Sequence, residues 1–298
     1  MVTVHIDTGA EMRGGQWQVL YLLRGLVSLG HEVRLLAPGD SALLHAARAQ
    51  QLEAIPLRMA ALARASSGAA LLHAHDARAH TLAALISKPF VVSRRVAFPV
   101  RRSFASRWKY RRATHFIAVS QCVKRTLIEA GIDETRISVV YDGVPAPPAR
   151  ESAGRSRVLA LDSDDPRKGK QFIEQAAALA GITVTFTRNL SADLADAALF
   201  IYISDSEGLG SAVLVAMANR VPVIASNVGG LPEIVKDGVT GLLTPNEPHA
   251  IAQRIERLLA DQALAAELAQ RAAARMECDF TADRMVRETQ RVYERIVA

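Results

Sequence analysis

The sequence predicts an α/β protein made of two Rossmann-like domains, each a parallel sheet covered by helices. Three observations carry that reading. Short apolar runs rich in β-branched residues recur along the chain, and glycine-rich turns lead from them into segments with helical apolar spacing. At 298 residues, half of them apolar, the chain is long enough for two cores of about 150 residues each. A proline cluster at Pro145, Pro147 and Pro148 falls near the middle and reads as a linker between residues 1–145 and 149–279.

The first half begins with a strand at 2–6 and a loop at 7–13. Gly14-Gly15 then opens a helix over 16–29, in which Trp17, Leu20, Leu23 and Val27 recur at helical spacing. Gly30 ends it, and residues 31–36 form the second strand. A later strand ends in His73-Ala74-His75-Asp76. Such residues can ligate a metal or act as a base, or be histidines that are structural or line a substrate. Residues 89–93 form a strand ending in Arg94-Arg95, whose planar, permanently charged forks suit a phosphate or carboxylate. Residues 104–112 read as a basic helix carrying Trp108 and Tyr110. Such a helix can stack on single-stranded nucleic acid or lie on an anionic membrane. A strand at 114–120 follows, with Ser120 capping a helix over 121–130. A strand at 137–141 ends at Asp142-Gly143-Val144-Pro145.

The second half opens with a strand at 157–161 and a loop from Asp162 to Lys170 containing Arg167-Lys168-Gly169. A helix at 171–179 and a strand at 182–187 lead to the buried strand Phe200-Ile201-Tyr202-Ile203. Next comes Glu207-Gly208-Leu209-Gly210-Ser211, where glycines let the backbone approach a ligand. Ser211 is expected to cap a helix over 212–219, presenting free amides and the positive end of a helix dipole to an anion. Glu207 and Val215, about two helical turns apart, are expected to share a face. A strand at 221–225 ends in a second glycine-rich loop, Gly229-Gly230-Leu231-Pro232-Glu233. Helices at 248–259, 261–278 and 280–297 complete the chain, the last with Met285, Val286, Val292, Tyr293 and Ile296 on one side.

Charge is uneven. Residues 1–148 hold 19 Lys and Arg against 10 Asp and Glu, a net of +9, while the remainder holds 17 against 20, a net of −3. Between Asp76 and Glu129 there is no acidic residue and there are twelve basic ones, among them Arg101-Arg102. That asymmetry points to a polyanionic partner: a phosphorylated acceptor, an anionic membrane or a nucleic acid. Two cysteines are too few for a disulfide framework and fit reduced thiols in a cytoplasmic protein. No run of about 18 uncharged apolar residues is present, and the N-terminal stretch reads as a strand rather than a signal peptide.

The stretch from Ser204 to Leu243 resembles the donor-binding signature of glycosyltransferase family 4, retaining enzymes of the GT-B fold. Glu207, Gly208, Gly210, Ala216-Met217-Ala218, Val221-Pro222-Val223 and Gly229-Gly230-Leu231-Pro232-Glu233 match the family pattern. The strand–Gly-Gly–helix–Gly-His-Glu-Val arrangement at the N-terminus is similar to the family's first unit. Two departures stand out. The family's second Glu is Val215 here, and its Arg after the first strand of the second domain falls on Asp162 or Ser163. Arg167 or Lys170 could substitute for the latter. The second domain is also shorter than the family norm by about one βα unit.

The resemblance implies two domains facing across a cleft, with the last helix, 280–298, returning to the N-terminal domain. It implies transfer of a sugar, with retention and without metal or cofactor, from a UDP- or GDP-linked donor. Glu207 would hold a donor hydroxyl, and Lys168 would neutralise the departing diphosphate. Gly14, Gly15, Arg167, Gly208, Leu209, Gly210, Ser211, Val215 and Glu233 would line the donor site. Arg94, Arg95 and His75 are candidates for acceptor or phosphate contact. The sequence does not name the acceptor; an anionic or lipid-linked class, such as a cell-envelope glycolipid or polysaccharide, is expected, as is peripheral membrane contact through the basic domain. The competing readings are a catalytically silent nucleotide-binding homologue and, less favoured, a basic nucleic-acid-binding protein.

Overall fold

The computed structural model describes residues 1–100, 103–147 and 155–298; Arg101, Arg102 and Pro148 lie outside them. It divides into two units, one of residues 1–143 with 282–298, the other of residues 144–281.

The first unit is built on seven strands: β1 (Val2–Ile6), β2 (Glu32–Ala37), β3 (Glu53–Pro56), β4 (Leu71–Ala74), β5 (Phe90–Arg94), β6 (His115–Ala118) and β7 (Ile137–Val139). All pair in parallel in the order β3-β2-β1-β4-β5-β6-β7. Its helices are α1 (Gly14–Ser28), α2 (Ala42–Ala49), α3 (Met59–Ser67), α4 (Ala77–Ala84), α5 (Phe104–Arg112) and α6 (Gln121–Glu129). The central strands are buried along their length, as a parallel sheet covered on both faces requires. The strand order reverses between β1 and β4, so the loop after β1 and the His75-Asp76 end of β4 meet there.

The C-terminal helix, Ala282–Val297, completes this unit by packing against α1. Its Met285, Val286, Val292 and Tyr293 share one core with Val19, Leu22, Leu23 and Leu26 of α1. Gly25 permits the approach, because a Cβ there would stand 2.4 Å from Val286 Cγ2.

The second unit has five parallel strands: β8 (Arg157–Leu161), β9 (Val184–Thr187), β10 (Ala197–Tyr202), β11 (Val223–Ser226) and β12 (Leu242–Thr244). Their order is β12-β11-β10-β8-β9. The helices are α7 (Lys170–Leu179), α8 (Leu190–Asp193), α9 (Ser211–Ala218), α10 (Leu231–Ile234), α11 (Pro248–Ala260) and α12 (Gln262–Asp279). The order reverses between β8 and β10. The loops leaving those two neighbours therefore meet at the position where open α/β sheets bind ligands.

Two local expectations are corrected. Ser211 does not cap α9; it is the first helical residue, and Gly210 holds the cap position at φ +105°, a conformation that favours glycine. Because α9 starts at Ser211, Glu207 precedes the helix and shares no helical face with Val215, which is half-buried on α9.

Candidate functional site

In the second unit, the loop after β8 carries Lys168 and the loop after β10 carries Glu207. Lys168 Nζ donates to Glu207 Oε2 at 2.8 Å and to the Tyr202 hydroxyl at 3.0 Å. Tyr202, the last residue of β10, donates its own hydroxyl to Glu207. Burial and the Glu207 carboxylate push the Tyr202 phenol well above its ordinary range, so it stays a donor. The other oxygen of Glu207 accepts the Gly208 amide at 3.2 Å. Glu207 is thus pinned by a cation, a phenol and its neighbour's backbone.

The two glycine-rich loops lock together. Gly230 N–H donates to the Glu207 carbonyl at 3.0 Å. A Cβ at Gly229 would stand 2.0 Å from the Glu207 carbonyl oxygen, and one at Gly230 would stand 2.1 Å from that of Gly208. Only glycine at both positions lets the backbones touch. Beneath them, Ser226 Oγ accepts the Ser204 amide and donates to Asn246, whose amide returns to the Ser204 carbonyl at 3.1 Å. The ends of β10 and β11 and Asn246 beyond β12 are thereby tied into one frame. The amides of Leu209, Gly210, Ser211 and Ala212 make no hydrogen bond to the described residues and open the N-terminus of α9. An anion there meets free donors and the favourable end of the helix dipole.

Of the other sequence candidates of this unit, Gly208 joins the Lys168–Tyr202–Glu207 cluster through its amide, whereas Arg167 is engaged outside it. Arg167 grips Asp165 through two nitrogens, at 2.9 and 2.6 Å. Lys170 pairs with Asp162 at 3.0 Å, and Arg188 holds the same carboxylate at 2.7 Å. Glu233 lies half-buried in the first turn of α10, with its carbonyl bound by Arg275. Sequence reasoning missed Tyr202 and Asn246. A tyrosine closing an otherwise apolar strand was the available signal for the first, since a buried phenol needs a partner.

In the first unit, the β1–β4 switch point gathers buried polar groups. His5 Nδ1 meets His75 Nε2 at 3.1 Å, and His73 Nε2 meets Ser93 Oγ at 2.8 Å. His73 Nδ1 is hydrogen-bonded to the Tyr293 hydroxyl of the C-terminal helix. Burial holds His5 near pKa 3 and keeps His73 and His75 well below the usual range, so all three are neutral. One nitrogen from each of the three lies within 4.8 Å of the others. Both ring nitrogens of His5 and of His73 are hydrogen-bonded and would have to give up a partner to ligate a metal ion, whereas the buried His75 Nδ1 has no partner among the described residues.

Arg95 pairs with Asp142 at 3.3 Å, both largely buried. It lies beside the start of α1, since a Cβ on Gly15 would be 3.6 Å from Arg95 Cδ. Gly14 is the first residue of that helix. The structure thus brings Gly15, Arg95 and the His75 neighbourhood together. Arg94 is turned away, donating to the Tyr110 hydroxyl at 2.9 Å and to the Phe98 carbonyl.

Profiles of two described families cover most of the chain: "Glycosyltransferase Family 4" matches residues 12–146 and "Glycosyl transferases group 1" matches 153–275. The chain belongs to glycosyltransferase family 4. Among curated relatives of this family-4 chain is the D-inositol 3-phosphate glycosyltransferase of Salinispora arenicola. It is 42% identical over 96 residues, which is 32% of this chain and 21% of that protein. Another is the N-acetyl-alpha-D-glucosaminyl L-malate synthase of Bacillus anthracis, 31% identical over 106 residues, 35% of this chain and 28% of that protein. The matches therefore span about a fifth to somewhat over a quarter of those relatives' lengths. Among solved structures, Anabaena HepE in complex with UDP and glucose superposes with a TM-score of 0.87 at 18% identity, covering 98% of this chain and 99% of that one. A glycosyltransferase of Rickettsia africae gives 0.83 at 18% identity, over 99% and 98% of the two chains. At these identities the likeness is one of fold, the α/β GT-B fold.

Proposed function

We propose that this family-4 member transfers a sugar from a nucleoside diphosphate donor to an acceptor, retaining the anomeric configuration and using no metal. One observation carries the reading: Lys168, Tyr202 and Glu207 are hydrogen-bonded together at the β8–β10 switch point, in the unit whose Leu209–Ala212 amides are unengaged. Cleaving the donor's glycosidic bond releases a diphosphate. Fixed positive groups that need no reorganisation stabilise the charge developing on it. Lys168 and the amides at the start of α9 are those groups. Glu207, held in one orientation by three donors, accepts a hydroxyl of the donor sugar. The departing phosphate oxygen takes the acceptor's proton, so no side-chain nucleophile is required.

UDP-glucose is the first donor to test, because HepE, which shares the fold, was solved with UDP-glucose. The acceptor is proposed to be anionic or lipid-linked, of the cell-envelope glycolipid or polysaccharide class, in keeping with the net charge of +9 on residues 1–148. Titration calorimetry with UDP, GDP and ADP, followed by turnover of the matching sugar conjugates, tests the reading. UDP binding that weakens roughly 10–100-fold in Lys168→Ala, as loss of a charge-assisted hydrogen bond implies, supports it. Absence of binding to all three nucleotides refutes it.

A second reading, a nucleotide-binding but silent homologue, is favoured by Val215 and by Asp162, whose carboxylate is taken up by Lys170 and Arg188. Binding without turnover on any donor would select it. If the missing ribose contact is the cause, Val215→Glu raises nucleotide affinity.

A further inference from the structure

We propose that Trp17 and Tyr21 form a stacking platform for sugar rings, so that the acceptor is an oligosaccharide or polysaccharide chain laid along α1. The proposal rests on the sugar-transfer reading above and deepens its acceptor. Trp17 recurs at the helical spacing of Leu20 and Leu23, yet those leucines are buried and Trp17 is 44% exposed. Tyr21, one turn further on, is half-buried against the core of the first unit. The two ring centroids are 6.0 Å apart, with an angle of 30° between the planes. Single exposed apolar residues need no explanation. Here an indole and a phenol are paired, and neither is hydrogen-bonded to a described residue. Rings with unengaged polar tips suit a ligand that is apolar on its face and polar at its rim. A pyranose has that chemistry: its C–H bonds meet the electron-rich ring face, and its hydroxyls meet the indole N–H and the phenol.

The platform is continuous with the β1–β4 switch point. Gly14, Trp17 and Tyr21 are spaced by three and four residues, so they share one face of α1. At 1.5 Å per residue, Trp17 lies about 4.5 Å and Tyr21 about 10 Å along the axis from Gly14. The stripe therefore leads away from the place where Gly15 adjoins Arg95. A glycan whose reacting end sits there lays its next units over the two rings. The surface is also rigid. Leu20, Leu22 and Leu23 are buried beneath it, and Gln16 Nε2 ties the start of α1 to both oxygens of Asp7 at 3.2 Å. Aromatic side chains on a fixed helix lose little freedom when a ligand settles on them. A lipid tail would cover the same rings but leave their polar tips without partners.

The test uses the chain's own fluorescence. It has two tryptophans, Trp17 and Trp108, so Trp108→Phe leaves Trp17 as the sole reporter. That protein is titrated with maltotetraose, cellotetraose and N-acetylchitotetraose, and with glucose as the single ring. A blue shift of Trp17 emission is expected with at least one tetrasaccharide, at concentrations at least tenfold below those glucose needs. By titration calorimetry, Trp17→Ala should weaken that tetrasaccharide at least tenfold and Tyr21→Ala roughly three- to tenfold, with Tm unchanged. No shift with any of the three tetrasaccharides overturns the proposal, as does binding that Trp17→Ala leaves intact. A larger shift with a single-stranded oligonucleotide or with phosphatidylglycerol vesicles than with any saccharide also overturns it. UDP titration of the same protein separates the two claims. UDP binding without a saccharide response sinks the platform alone, whereas a saccharide response without nucleotide binding sinks the donor reading and keeps the platform.

Discussion

A Gly230→Ala substitution probes how the two glycine loops hold Glu207. Gly230 sits at φ −86°, which alanine adopts without strain. On backbone grounds alone the change would stabilise by about 0.4–1 kcal/mol, through a less disordered unfolded chain. Packing reverses the sign. The new Cβ would stand 2.1 Å from the Gly208 carbonyl oxygen and 2.9 Å from Leu209 Cα. Both are main-chain atoms, so the loop at 207–209 must retreat by about 1 Å to restore ordinary contact. Overpacking of this kind costs roughly 1–3 kcal/mol. The 3.0 Å bond from Gly230 N–H to the Glu207 carbonyl is strained as well, and such a bond contributes about 1 kcal/mol. The net expectation is a loss of about 1–3 kcal/mol, or roughly 3–10 °C in Tm for a unit of this size. Displacing Glu207 by about 1 Å should also cut turnover by up to about 100-fold. Gly68→Ala is the control. Gly68 ends α3 at φ −95° with open space around its Cβ position, so it should gain the 0.4–1 kcal/mol. Calorimetric melting of both variants, with UDP titration, reads the difference. A Gly230→Ala protein that melts at or above the parent and binds UDP equally well would refute the interlocking.

Three further outcomes can be checked. Tyr202→Phe leaves Glu207 Oε2 with Lys168 alone and should cost about 1–2 kcal/mol, with weaker donor binding measured by titration. Gly25→Ala drives a methyl into Val286 and should destabilise the first unit by roughly 1–3 kcal/mol on thermal melting. Acid should unfold the first unit early. His5 is held near pKa 3 and His80 near 4, with His73 and His75 also depressed, against an unfolded value of 6.5. Because the folded form refuses these protons, their stabilisation is complete above about pH 6.5. It falls below that by about 1.4 kcal/mol per pH unit for each histidine, down to the folded pKa. A melting temperature flat from pH 7 to pH 4.5 would contradict the neutral, buried state.

Much of the fold was legible because its signals are local. The run at Val2–Ile6 became β1, Phe104–Arg112 became α5 with the expected bounds, and Ser120 caps α6 through its hydroxyl. The stretch from 37 to 70 was not read. There α2, β3 and α3 are short, and alanine fills both inward and outward positions, so the apolar period is weak. At the site, Glu207 and Lys168 were named from motifs, yet their direct contact follows from strand order, which no local pattern encodes. Ser211 illustrates the opposite failure. A good capping residue type was present, but Gly210, already in a left-handed conformation, fixed where the helix begins. Tyr202 was hidden within an apolar run because its significance lies in its last atom.

The pairing of His73 with Tyr293 has a consequence for biosynthesis. The seven-stranded sheet is synthesised before the five-stranded unit, but the helix at 282–298 that packs on it is synthesised after that unit. Until it emerges, the side of α1 that it covers stays open, while the five-stranded unit already has all its parts. Vectorial folding ordinarily settles the leading domain first. In this chain the leading domain must wait, and a nascent product cut short before Tyr293 would carry an intact rear sheet and a front sheet open for capture by chaperones.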